Sequence, residues 1–455
     1  MPQAVFVPAG LAEAPRRCRL TMTLVASLRN RQLEPAIRKV GEEYSVYTPR
    51  EERLAWQLRA WNAEWSRIRS SVPYYMKRPD LPTQFESWEQ FLEFVPPTTR
   101  GGVRHNLREM TDASRPPEFF RITGGSTAQP VQLPAWKKEF RTTTPDLWWA
   151  RSWYSISPKS RLFLLWGHSH LLGQGFKGWL NARKRELYDS MLGYYRFSAY
   201  DLQAGAMREA ARAMITFHPE YIIGYSVALD LFARAAQEYR AELRGLGVKA
   251  VIGAAEAFPT KDSEKILNDL FGCPVAMEYA SVETNLIAHA EPQGGYRVFW
   301  RTYFLEVDRS TRGARAVRLT SLYPRCFPLL RYELGDQIEL CDGLSDEWFG
   351  IEVFKRVAGR CNDYVKLRDG SLIHSEAFTH AVRGNSAIEG YQVVQNGEDF
   401  RIRVLVREGV NGKAEEAIRS QLAKIHPELA RSPIERVAAL EQTVAGKVPM
   451  IVRKT

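Results

Sequence analysis

The sequence predicts an α/β fold: a large N-terminal α/β domain over residues 1–358, followed by a small, mobile α+β domain over 359–455. Two observations carry this. From about residue 120 to 277, short apolar runs alternate with longer amphipathic ones, as in layered α/β proteins with a largely parallel sheet. Beyond Arg356 the pattern becomes paired runs of strict alternation around one helix-like stretch, the mark of a small mixed module.

The elements follow in chain order. Residues 35–75 read as helical, because Leu54, Trp56, Leu58, Trp61, Trp65 and Ile68 recur at spacings of two to four with charged residues between them. These tryptophans read as core. Residues 1–21 read as an appended tail, with Met22 an alternative start. Pro73 closes the helical stretch, and Pro79, Pro82, Pro96 and Pro97 mark an extended passage. Strands are expected at 161–166, 221–224, 250–252 and 274–277, and helices at 202–217, 227–243 and 261–271. Residues 296–356 read as short strands and turns. In the last module, strands are expected at 391–394, 400–406, 434–438 and 450–452, with a helix at 415–425.

Composition bounds the function. The chain has 455 residues, enough to bury a core without disulfides or a structural metal. Cys18, Cys273, Cys326, Cys341 and Cys361 are scattered and form no CxxC pair, which suits a reducing, cytoplasmic setting and argues against a zinc site. No apolar run approaches the length of a membrane span, and no signal-peptide core is expected. Net charge is 63 − 52 = +11, yet the basic residues are spread along the chain. That argues against nucleic acid and suits a polyphosphate nucleotide or an acidic carrier.

Several segments carry chemistry. Residues 121–130, RITGGSTAQP, place two glycines and two hydroxyls in one loop, whose backbone N–H groups and hydroxyls suit phosphate oxygens. The segment lacks the lysine of the mononucleotide-binding loop pattern. Further on come 253–256 (GAAE), 278–283 (EYASVE), 330–336 (LRYELGD), 359–366 (GRCNDYVK) and the pair Gly446-Lys447. Each is weak alone; their joint order is specific. His168 and His170 lack a third ligand nearby in sequence, so they read as pocket lining or core rather than as a metal pair.

Together these segments resemble the adenylate-forming superfamily, in its phenylacetate–CoA ligase-like and CapK-like branch, from about Trp56 to Lys447. The resemblance implies the following roles. Gly125, Ser126 and Thr127 would hold the β- and γ-phosphates of ATP. Gly253, Ala254, Ala255 and Glu256 would lie along the adenine, and Tyr279, followed by Ala280 and Ser281, would stack on its face. Glu283 would help hold Mg²⁺, a hard cation that prefers oxygen. Asp336 would bind the ribose hydroxyls with help from Arg360. Lys447 would be the catalytic lysine of adenylation, where negative charge develops on the transferring group. Asn362 would be the hinge, and Trp166, His168, Tyr225 and Ser226 would contact the acyl group.

This sequence departs from the family pattern at four places. Gln129 stands for a lysine, Ala128 and Ala280 for glycines, and Val282 for a Ser/Thr. One phosphate charge partner and one hydroxyl are thereby lost, which bears on ATP affinity and rate. Trp148, Trp149, Trp153, Tyr154, Trp166, Trp179, Tyr194 and Tyr195 read mostly as core, with some forming a flat slot for an aromatic acid. The implied activity is ATP- and Mg²⁺-dependent conversion of an organic acid to an acyl-adenylate and then to a CoA thioester. The alternatives are transfer to an acyl carrier protein or an amine, and a non-catalytic relative of the fold. A homodimer is expected from the family.

Overall fold

The computed structural model describes residues 16–45, 49–122, 132–166, 175–199, 204–255, 257–258, 260, 262–309, 313–344, 346–360, 364–369, 372–374, 378, 381–382, 388–406, 413–441 and 450–454. Two long helices, Arg16–Ser45 and Arg50–Ser71, open the chain. The single helical stretch expected over 35–75 is therefore two helices, and residues 16–21, expected in a tail, belong to the first. Within the second, Trp61, Trp65 and Ile68 are fully buried, whereas Trp56 remains partly exposed and packs edge-on against Trp300.

The strands, in order, are β1 (Phe119–Ile122), β2 (Gln132–Ala135), β3 (Leu162–Leu165), β4 (Tyr194–Phe197), β5 (Tyr221–Tyr225), β6 (Val251–Ala254), β7 (Val275–Ser281), β8 (Asn285–Ala290), β9 (Tyr296–Val298), β10 (Tyr303–Val307), β11 (Ala314–Ser321), β12 (Tyr332–Glu339), β13 (Val353–Phe354) and β14 (Arg356–Arg360). The last module adds β15 (Tyr364–Lys366), β16 (Leu372–His374), β17 (Ile388–Asn396), β18 (Asp399–Val406), β19 (Ile434–Arg436) and β20 (Ile451–Lys454).

The central sheet has the order β13-β9-β8-β7-β6-β5-β3-β4. Its half from β7 to β4 is parallel and its half from β13 to β7 is antiparallel. The largely parallel sheet expected from the alternation thus holds only as far as β7. There the chain turns back through three residues, 282–284, instead of crossing over a helix, and antiparallel pairing follows. The helix expected over 227–243 is also interrupted. It runs as Ser226–Ala235, a 3₁₀ turn at Gln237–Tyr239 and a short helix at Arg240–Gly245.

A second sheet, β10-β11-β12-β14, packs with the helix Arg50–Ser71 around a separate core that includes Trp61, Trp65, Phe304 and Leu319. In the last module, β19-β18-β17-β20 form a sheet, and the helix Lys413–Ile425 contacts the helix Ser226–Ala235 of the parallel half. The boundary expected at 358/359 falls inside β14, which pairs with β12. Among the described residues no helix is long and apolar enough to cross a membrane.

Candidate functional site

The parallel strands align the candidate residues. Leu165 of β3 pairs with Gly224 of β5, Gly224 with Gly253 of β6, and Gly253 with Met277 of β7. The residues just past this row are Trp166, Tyr225 and Ser226, Ala254 and Ala255, and Tyr279 to Glu283. All stand at carboxyl ends of strands, where open α/β sheets place their ligands. A Cβ at Gly253 would collide with Met277 Sδ and meet Ser226 Oγ at 2.9 Å and Phe258 at 3.0 Å, so only glycine fits there. Ala255 follows with a φ of +72°, a left-handed conformation that costs a non-glycine residue about 1 kcal/mol.

Glu283 lies in the turn between β7 and β8 and is 2% exposed. Ser281 and Thr284 close this turn: the Ser281 N–H donates to Thr284 Oγ1 at 3.2 Å, and their hydroxyls lie 3.0 Å apart. Asn285 ends it at a φ of +72°. Glu283 Oε1 accepts from Arg100 Nη2 at 3.2 Å and from the Tyr332 hydroxyl at 3.3 Å. Burial and then the Glu283 carboxylate push the Tyr332 phenol well above its ordinary range. Burial alone would lower the Arg100 pKa, but Glu283 and Tyr332 more than offset this and the net direction is upward.

Asp336 is half-buried on β12 and accepts a hydrogen bond from the Tyr279 hydroxyl at 3.1 Å. The Tyr279 ring is 6% exposed and packs edge-on to Phe354 at 6.0 Å. This phenol joins the two sheets at the site. In backbone register Asp336 pairs with Arg360, so the two expected ribose contacts are neighbours across β12 and β14. Arg331 of the same motif is structural. Its φ is +44°, and its guanidinium is committed to Glu306 at 2.9 Å and to the carbonyls of Leu92 and Val95 at 2.6 Å.

Gly125, Ser126, Thr127, Glu256, His168, Asn362 and Lys447 lie outside the described residues, as do His170, Ala128 and Gln129, and Arg360 is described in its backbone only. The flanks of the segment 123–131 are described: Ile122 pairs with Gln132, so β1 and β2 form its base. Arg121, the residue before Ile122, donates to the Val282 carbonyl at 3.4 Å and to the Asn285 side chain, and pairs with Glu139 at 3.0 Å. Arg325, 2% exposed, donates to the Glu283 carbonyl. The base of the loop is thus fixed to the turn that carries Glu283.

The donor set was tested against Mg²⁺. Among the described residues no cluster of three or more His, Cys, Asp or Glu could cage a metal ion. A protein cage is not what Mg²⁺ needs beside a triphosphate, where one or two carboxylates suffice. Glu283 fits that role: Oε1 takes the described hydrogen bonds, and Oε2 takes none of them.

Most of the described aromatic residues of this set are core, as expected, and the Trp179 side chain lies outside the described residues. Trp148 and Tyr154 are buried, Trp149 stacks on Tyr44 at 4.2 Å and Trp153 packs edge-on to Trp149. The helix Arg16–Ser45 therefore takes up most of this set as core. Trp166 and Tyr225 remain at the strand ends, stacked at 4.3 Å. Ser226 is fully buried, with its hydroxyl 3.7 Å from Met277 Sδ.

Sequence reasoning missed Arg100 and Arg325, and placed Arg121 and Tyr332 in motifs without giving them a role. Arg100 starts a short helix capped by Thr99, whose side chain accepts from the Gly102 N–H, and Thr98 bridges to Tyr332. The Thr-x-x-Gly cap was readable beyond the prolines. The partnership with Glu283, 183 residues away, was not.

These sheets and this site define the fold of the adenylate-forming ligases. The solved structure of 2-hydroxyisobutyryl-CoA ligase with 2-HIB-AMP and CoA, in its thioesterification state, superposes with a TM-score of 0.58 at 17% identity, covering 90% of this chain and 91% of that one. The same ligase in its postadenylation state with R3-HIB-AMP gives 0.57 at 16% identity, covering 90% of both chains. In sequence the chain is similar to protein CapK of Staphylococcus aureus, 28% identical over 222 residues, which are 48% of this chain and 49% of CapK. The match thus spans about half the length of that relative. No protein-family model matches the chain.

Proposed function

We propose that the protein uses ATP and Mg²⁺ to activate an organic acid, aromatic in class, as an acyl-adenylate and passes the acyl group to CoA. The supporting observation is the order of groups across the sheet. Trp166 and Tyr225 end β3 and β5, the adenine segment ends β6, and Glu283 follows β7, with Asp336 held beside Tyr279. An acid on the first pair would present its carboxylate to a nucleotide laid along the second. The stacked Trp166–Tyr225 pair favours a flat acid.

The carboxylate oxygen attacks the α-phosphorus. The bond to the bridging oxygen breaks and pyrophosphate leaves. A thiolate then attacks the acyl carbon, and AMP departs with the oxygen it gained. Lys447 supplies positive charge in the first step and not in the second. Lys447→Ala should lower adenylation about 100-fold or more while sparing thioester formation from a supplied acyl-adenylate. Equal loss of both half-reactions in a folded variant would remove that role.

The test is pyrophosphate release over a panel of aryl and aliphatic acids, with ATP and Mg²⁺, with and without CoA. Release that depends on one aryl class, with a thioester appearing when CoA is added, supports the reading. Acid-dependent release without a CoA product moves the acceptor to a carrier protein or an amine. Absence of both release and ATP binding points to a non-catalytic relative of the fold.

A further inference from the structure

We propose that Arg100 is a phosphate-binding residue that supplies the cation missing from the Ser/Thr/Gly-rich loop. The proposal rests on the adenylation reading above. Gln129 occupies the position where related loops carry lysine, so that segment offers hydroxyls and N–H groups but no cation. A nucleoside triphosphate brings several negative charges to the site, and guanidinium is the side chain best shaped to meet phosphate oxygens in pairs.

Three other described arginines belong to the site's segments, and all are buried and committed. Arg121 is 6% exposed and held by Glu139, Asn285 and the Val282 carbonyl. Arg325 is 2% exposed and held by the Tyr323 hydroxyl and the carbonyls of Phe327 and Glu283. Arg331 is 8% exposed and held by Glu306 and the carbonyls of Leu92 and Val95. None can reach a ligand without breaking the fold.

Arg100 differs. Its side chain keeps 36% exposure, against 4% for the side chain of Arg121, 2% for Arg325 and 10% for Arg331. Nη2 lies 3.2 Å from Glu283 Oε1 and 3.4 Å from the Leu334 carbonyl, two residues before Asp336. The guanidinium therefore sits between the carboxylate assigned to Mg²⁺ and the strand that carries the ribose carboxylate. Phosphates strung from ribose to metal must pass it. Without nucleotide, Arg100 neutralises a carboxylate that is almost fully buried. With nucleotide, Glu283 would hold Mg²⁺ and the guanidinium would turn to the phosphates.

The test uses the full chain and measures affinity for ATP, AMP and adenosine, by calorimetry or by competition, in the wild type, Arg100→Gln and Arg100→Lys. Glutamine keeps a donor for Glu283 and removes only the charge, and thermal melting of each variant checks the fold. The expected loss in Arg100→Gln is about tenfold or more for ATP, smaller for AMP and under about twofold for adenosine. Arg100→Lys should recover part of the ATP loss. Unchanged ATP affinity in Arg100→Gln, or equal loss for all three ligands, overturns the proposal and leaves the adenylation reading standing. A wild type that binds none of the three overturns both.

Discussion

Under the proposed function, Asp336 and Tyr279 make separable contributions to nucleotide binding. A carboxylate that accepts two ribose hydroxyls makes charge-assisted hydrogen bonds, each worth about 1.5–3 kcal/mol. Asp336→Ala should therefore weaken ATP binding about 100-fold or more. Tyr279→Phe removes the 3.1 Å bond from the phenol to Asp336 and should cost less than about tenfold. Calorimetric titration checks both, and an unchanged Kd in Asp336→Ala would remove the ribose assignment. Residue by residue, the site was legible wherever a motif spelled its own spacing. Tyr279 and Glu283 stand in one box and Asp336 in another, and the register Asp336↔Arg360 joins two motifs read separately. Arg331 was legible as part of a motif but not in its role. Its ties to Glu306, Leu92 and Val95 depend on three segments distant in sequence.

Between elements, charge is buried where β1, the β7–β8 turn and the helix Lys137–Ser152 meet. Glu139 is fully buried; Oε1 accepts the N–H groups of Trp136 at 2.9 Å and Cys326 at 3.0 Å, and Oε2 faces Arg121 and Arg325. One carboxylate thus serves two buried guanidiniums. Burial and then Arg325 lower the Arg121 pKa, which is the cost of that crowding. Glu139→Gln can keep the N–H acceptor but strips the charge from between two cations. It should destabilise the fold by about 3–5 kcal/mol, read from urea unfolding, and a loss under about 1 kcal/mol would contradict the network's role. A second buried carboxylate, Asp146, joins the helix Arg16–Ser45 to the helix Lys137–Ser152. It accepts from the Tyr44 hydroxyl at 2.9 Å and lies 3.5 Å from Arg301. Burial raises its pKa to about 6, against the opposing pull of Arg301 and Tyr44. Between about pH 4 and 6 the native state holds this proton and the unfolded chain does not, so raising the pH favours unfolding. From an ordinary value of 3.8 to about 6, the Asp146 contribution to stability should fall by roughly 3 kcal/mol and then stay flat. The difference between wild-type and Asp146→Asn urea unfolding, followed from pH 3.5 to 7.5, isolates this group, and a pH-independent difference would refute it. The strand–helix alternation was legible because each parallel strand is a short apolar run. The reversal at β7 was not, since β8 (NLIAHA) is as apolar as its parallel neighbours and composition does not reveal direction.

At the scale of the whole molecule, the proposed function asks one site to serve two reactions with different geometry. The last module docks its helix Lys413–Ile425 on the helix Ser226–Ala235, whose N-terminal residue follows Tyr225 at the proposed acyl end of the sheet. Its apolar residues Val365, Val393, Ile402, Ile418 and Leu422 join the same buried cluster as Phe163 and Leu229 of the large domain. The proposed two-step reaction requires the module to release this packed surface and take another position, with the connecting chain rotating at few residues. Asn362, between β14 and β15, is the proposed pivot. Proline there fixes φ near −65° and removes the freedom a pivot needs. Asn362→Pro should therefore hold the module in one arrangement, keeping one half-reaction near the wild-type rate and slowing the other about tenfold or more. The two are measured separately, as acid-dependent pyrophosphate exchange and as thioester formation from a supplied acyl-adenylate. Retention of both rates, or loss of both in a variant with an unchanged melting temperature, would place the pivot elsewhere. Loss of one alone would show that the two steps need different positions of the same module, and which one survives would identify the arrangement the proline has trapped.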